Sequence, residues 1–93
     1  MKIKIKIKYT AQLKKEAATG EEWKDMEASV EIEDLLKELV KGKNEKFQNI
    51  LFDENNQRRL SILVIHNNEQ VSGKGMKLKE NDEILIMSPI AGG

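Results

Sequence analysis

Ile32-Glu33-Asp34-Leu35-Leu36-Lys37-Glu38-Leu39-Val40 is the stretch on which the architecture turns. Its apolar residues Ile32, Leu35, Leu36, Leu39 and Val40 recur at i, i+3, i+4, i+7 and i+8, one continuous stripe along a helix. Glu31, Glu33 and Asp34 put negative charge at the positive end of the helix dipole. Lys37 and Lys41 lie toward the other end, and Gly42 supplies a stop. A helix with one apolar stripe buries it on one layer, so this one needs a sheet to lie on.

The strands stand on both sides of it. Upstream, residues 1–9 alternate strictly: Ile3, Ile5, Ile7 and Tyr9 point one way and Lys2, Lys4, Lys6 and Lys8 the other, the signature of a half-buried strand. The lysine row faces water, because four unpaired ammonium groups cannot be buried. Residues 10–22 read as a connector broken at Thr19-Gly20, and residues 23–31 as a second strand with Met26, Ala28 and Val30 on one face. Downstream, Phe47, Ile50 and Leu51 are spaced as one short helical turn, and residues 53–57 form a turn or mobile loop. Residues 60–66 are densely apolar and read as a strand buried on both faces. Asn67-Asn68 is a hairpin turn, since Asn tolerates positive φ, and residues 69–72 begin the return. Gly73-Lys74-Gly75 reads as flexible, Leu78 as a lone anchor and Asn81-Asp82 as another turn. Residues 84–87 are the last strand, which Ser88-Pro89 ends because proline cannot extend a ladder.

The sum is an α+β domain, a mixed sheet packed on one main helix. The helix would serve as a right-handed crossover from the second strand to a parallel neighbour. Ninety-three residues make one domain. With apolar residues at 39% and charged residues at 34%, the composition is that of a folded chain rather than a disordered one. Formal net charge is zero, so no basic field recruits nucleic acid or a membrane surface. The absence of cysteine excludes disulfides, thiolate metal sites and a thiol nucleophile. No apolar run approaches the roughly 20 residues of a membrane span, and the alternating start is no signal peptide, so the expected location is cytoplasmic.

Side chains that invite a catalytic reading have plainer ones. His66 is the only histidine and reads as a strand-end residue by the hairpin. Glu21-Glu22 and Glu31-Glu33-Asp34 lie in a connector and at a helix start, without a pocket to raise a pKa. Trp23 and Phe47 read as edge or core packing, and Arg58-Arg59 as loop residues. The chain has no glycine-rich phosphate loop.

The remaining signal is the end of the sequence, Pro89-Ile90-Ala91-Gly92-Gly93. Residues 1–88 are expected to form the domain and residues 89–93 a flexible tail. Fully extended, those five residues reach on the order of 15 Å, enough to enter a partner's narrow channel. Two glycines without Cβ atoms leave the carboxyl carbon open to approach from any side. A terminal carboxylate has a pKa of about 3.3–3.7, so at neutral pH it is a poor acyl donor and needs activation, most simply as an acyl-adenylate.

The segments 6–18, 32–39, 63–69 and above all 81–93 (Asn81-Asp82-Glu83-Ile84-Leu85-Ile86-Met87-Ser88-Pro89-Ile90-Ala91-Gly92-Gly93) resemble the ubiquitin-like β-grasp sulfur carriers. Within that family the resemblance is greatest to the molybdopterin synthase small subunit and to archaeal small ubiquitin-like modifiers. The molybdopterin-type ending usually has an aromatic residue and two prolines before Val-x-Gly-Gly; Met87-Ser88-Pro89-Ile90 keeps one proline and the aliphatic residue. The resemblance implies a ubiquitin-like β-grasp fold and a carrier or small non-catalytic subunit rather than an enzyme. It also implies activation of Gly93 by an E1-like adenylating enzyme that uses ATP, with no cofactor bound by the chain itself. The Gly93 thiocarboxylate would then serve molybdopterin biosynthesis through the synthase large subunit. Gly92, Ala91, Ile90 and Pro89 would provide access and docking. Three alternatives stand beside this: conjugation of Gly93 to lysines of target proteins, sulfur delivery to tRNA thiolation or thiamine synthesis, and an interaction module with an inert tail. The partner face is expected on the exposed side of the sheet near the tail, with Leu63, Ile65, Leu85 or Met87. Alternation alone leaves open which set faces in.

Overall fold

The computed structural model describes residues 1–71 and 77–88. β1 (Lys2–Tyr9) is the strand read from the alternation: Ile3, Ile5, Ile7 and Tyr9 are buried, and the lysines line the opposite face. β2 (Glu21–Glu27) runs antiparallel to it, with Ile3 opposite Met26 and Ile7 opposite Glu22. Between them lies α1 (Ala11–Ala17), where the sequence reads as a connector. A seven-residue helix anchored by Leu13 alone has no apolar stripe long enough to register as one. The second strand begins and ends earlier than expected; Ala28 is exposed, and Ser29 turns the chain at φ 70°.

α2 (Ile32–Lys41) buries Ile32, Leu35, Leu36 and Leu39, and Val40 packs at the margin. α3 (Glu45–Leu51) follows at once, its first turn capped by the Asn44 side chain accepting from the Phe47 N–H at 2.9 Å. Phe47 and Leu51 close the core, with the Phe47 ring edge-on to Tyr9 at 5.5 Å. In the 53–57 turn, Asp53 Oδ1 accepts from the N–H groups of Asn55 and Gln57.

β3 (Leu63–His66), β4 (Glu69–Val71) and β5 (Glu83–Met87) complete a five-stranded sheet of order β2-β1-β5-β3-β4. The β3–β4 turn is the expected one, with both Asn67 and Asn68 at positive φ. Two expectations are corrected. β3 is short and buried on one face only: Ile62 and Val64 are inside, whereas Leu60 is fully exposed and Leu63 is 41% exposed. α2 does not link parallel neighbours either, because β2 and β3 lie on opposite sides of the central pair. The parallel pair is β1 with β5, and β3 runs antiparallel to β5. The helix lies across the inner face and carries the chain from one side of the sheet to the other. Leu78 is buried as expected, and its N–H bonds to the Val30 carbonyl. Gly73-Lys74-Gly75 lies outside the described residues.

Candidate functional site

The residues read as chemically active, Pro89, Ile90, Ala91, Gly92 and Gly93, lie outside the described residues. What the structure places is their root. Ser88, the residue after β5, donates its hydroxyl to the Thr10 carbonyl at 3.1 Å and accepts from the Leu13 N–H at 3.3 Å. Thr10 makes no side-chain cap of its own, so a serine distant in sequence supplies one for α1. The Thr10 N–H bonds in turn to the Ile86 carbonyl at 3.3 Å. The point at which the chain leaves the sheet is thereby tied to the β1–α1 junction. In the sequence Ser88 reads only as part of a strand terminator; its capping role depends on a contact 75 residues away.

Register then settles the outer face. Ile84 and Ile86 are fully buried, so Leu85 and Met87 face out; Val64 is buried, so Leu63 and Ile65 face out with them. Leu63 stands opposite Met87 and Ile65 opposite Leu85. Four apolar side chains therefore form two adjacent cross-strand rows ending where β5 releases residues 89–93. Lys8, beside Leu85 in the parallel register, borders them and pairs with Glu83 at 3.4 Å. The rest of the outer face is a charge zipper: Lys2 pairs with Glu27 and Lys6 with Glu21, and the Lys6 ammonium lies over the half-exposed Trp23 ring. Trp23 is thus an edge side chain held by a cation, whereas Phe47 is wholly core. An apolar patch on one half of a sheet whose other half is self-neutralised is suited to docking a protein.

Polar groups elsewhere hold the frame. His66 Nε2 lies 2.7 Å from Asp82 Oδ2, while the Asn67 side chain and the Lys79 N–H donate to the same carboxylate. Burial acts to raise the Asp82 pKa, but the hydrogen bonds from Asn67, His66 and the Lys79 backbone together outweigh it and hold the carboxyl below its ordinary range. This cluster locks the β3–β4 turn onto the start of β5, the end away from the tail. Behind the sheet, the Tyr9 hydroxyl donates to Glu22 at 3.1 Å, and Lys43 pairs with Glu22 at 3.0 Å. Burial, with the Glu22 charge and hydrogen bond added, pushes the Tyr9 hydroxyl well above its ordinary pKa. No helix among the described residues is long and apolar enough to cross a membrane.

The model of the ThiS family matches residues 7–93. The chain belongs to the ThiS family. No curated protein matches the sequence. Among solved structures, the ThiS-family chain is similar to SAMP1 from Haloferax volcanii, at 23% identity and TM-score 0.85, over 97% of this chain and 99% of that one. It is similar to small archaeal modifier protein 1 from Methanosarcina acetivorans, at 26% identity and TM-score 0.79, over 100% and 99%. It is also similar to a putative molybdopterin converting factor, subunit 1, from Pyrococcus furiosus, at 27% identity and TM-score 0.75, over 95% and 99%. The fold is the ubiquitin-like β-grasp, and this ThiS-family chain is a ubiquitin-like sulfur carrier or modifier.

Proposed function

We propose that the chain is a sulfur carrier whose Gly93 carboxylate is the working group, delivering sulfur for molybdopterin assembly. The observation that carries this reading is the apolar patch of Leu63, Ile65, Leu85 and Met87, which ends where β5 releases residues 89–93. It is supported by a family match that runs through residue 93 and by similarity to a protein titled as a putative molybdopterin converting factor subunit. An E1-like enzyme seats the patch and threads the tail. The Gly93 carboxylate attacks the α-phosphorus of ATP, forming the acyl-adenylate and releasing pyrophosphate. A hydrosulfide equivalent from a sulfur donor then adds to the carbonyl carbon and expels AMP, leaving the thiocarboxylate. The loaded chain docks by the same patch on a synthase large subunit and gives up its sulfur there. The chain's own contribution is presentation: an apolar surface for each partner, and a slender acyl terminus that begins at its edge.

Similarity to a protein titled as a small archaeal modifier favours a second reading, in which the same adenylate passes to a lysine amine of a target protein. One experiment separates the two. The purified chain is incubated with ATP, an E1-like enzyme and a sulfur donor, and its intact mass is measured. Replacement of one oxygen by sulfur, abolished by deleting Gly93, is the expected result; an unchanged mass with a competent enzyme refutes the carrier reading. Target lysines carrying residues 80–93 in isopeptide linkage, the branch trypsin leaves by cutting after Lys79, found after denaturing pull-down without any thiocarboxylate, would establish the modifier instead.

A further inference from the structure

Leu60 is completely exposed, yet it is held on one of the better-anchored turns of the molecule. The Ile62 N–H closes the turn onto the Arg59 carbonyl at 3.1 Å, placing Leu60 at its first corner. On the near side, the Arg59 N–H bonds to the Leu51 carbonyl at 2.9 Å, and its Nε donates to the Asn49 carbonyl at 2.6 Å. On the far side Ile62 is buried. Corners of this kind favour polar residues, proline and glycine, and Leu60 gains no burial here. Single exposed leucines are common on protein surfaces, but this one has a particular place. The turn leads into β3, which runs antiparallel to β5, so it stands at the sheet end where β5 finishes and beside the Leu63–Met87 pair.

We infer that Leu60 is a specificity-determining contact for the enzyme that adenylates the chain, lying outside the sheet patch and on the rim around the tail's exit. This rests on the function proposed above. If Gly93 is the reacting end, residues 89–93 span on the order of 15 Å when extended. The mouth of any channel that receives them therefore lies near Ser88, at the sheet end where the turn at 59–62 also stands. The backbone that carries Leu60 is already fixed by the hydrogen bonds of Arg59 and Ile62, so closing a pocket on it orders only the leucine side chain. The partner's matching feature is an apolar pocket beside its tail channel.

The test uses the full-length chain and a purified E1-like enzyme that adenylates it, with ATP–pyrophosphate exchange as the readout. Leu60→Asp should raise KM for the chain at least about tenfold, as expected for losing a buried leucine contact, with kcat unchanged. Leu60→Met should keep the wild-type KM, and Asn55→Asp, which adds the same charge on an exposed neighbouring loop, should leave it unaltered. Thermal melting of Leu60→Asp should match the wild type, because the side chain touches nothing. A wild-type KM for Leu60→Asp alongside a raised KM for Leu85→Asp overturns the inference but leaves the proposed function standing, as does an equal rise for Asn55→Asp. Failure of the wild-type chain to be adenylated by any E1-like enzyme overturns both.

Discussion

Ser88→Ala removes one oxygen and, with it, the cap that joins the end of β5 to the start of α1. Two hydrogen bonds are lost: the Leu13 N–H loses its acceptor at 3.3 Å and the Thr10 carbonyl its hydroxyl donor at 3.1 Å. The carbonyl keeps the Lys14 N–H as a second partner, so its loss costs little. The Leu13 N–H is left in a partly buried place without an acceptor, comparable to removing a helix N-cap, which costs about 1 kcal/mol. For a domain of this size that corresponds to a fall in Tm of roughly 4–8 °C. Thermal unfolding followed by far-UV circular dichroism reads it directly. Ser88→Thr, which keeps the hydroxyl, should recover most of the loss. A Ser88→Ala melting curve that overlays the wild type, or a threonine variant as unstable as the alanine one, would refute the capping role and the tie between tail root and β1–α1 junction.

Two predictions concern pH. The Tyr9 pKa is raised by burial and by Glu22, so the folded chain keeps its phenolic proton after the unfolded chain has released it. Stability from this source is complete below about pH 10 and falls above it by up to about 1.4 kcal/mol per pH unit; in denaturant titrations the stability difference between wild type and Tyr9→Phe, set at neutral pH by the lost hydrogen bond to Glu22, should stay constant up to that pH and change only above it. Asp82 titrates in the opposite sense. Its lowered pKa makes the unfolded chain the better proton binder, so its contribution is complete above about pH 4 and is lost as pH falls further. Asp82→Asn should be less stable than wild type at neutral pH, by about 1–3 kcal/mol for the donors left facing an amide. That difference should shrink on acidification, and a constant difference across the acid range would disprove the assignment.

Much of this fold was legible because its main signals are local. The stripe from Ile32 to Val40, the alternation in β1 and the paired asparagines of the β3–β4 turn each carry their own periodicity or backbone preference, and each forms where it was read. α1 was not legible, since one buried leucine in seven residues carries no period and its cap comes from Ser88 across the sheet. The apolar run at residues 60–66 misled because its composition matches a doubly buried strand. Three of its members, Leu60, Leu63 and Ile65, instead stand on the surface that a partner is proposed to cover. His66 was placed correctly beside the turn, but its Asp82 partner lies 16 residues away and leaves no trace in spacing.

By itself, the sequence determined that one main amphipathic helix would lie on a mixed sheet, because hydrophobic period and chain order are properties of neighbours along the chain. Only the tertiary structure decided that Ile84, Ile86 and Val64 go in while Leu63, Ile65, Leu85 and Met87 stay out. Both alternating sets on β5 carry large apolar side chains, Ile84 and Ile86 on one and Leu85 and Met87 on the other, with Glu83 at the strand's start the one charged member. The choice follows from pairing β5 parallel to β1, whose lysines can occupy only the outer face.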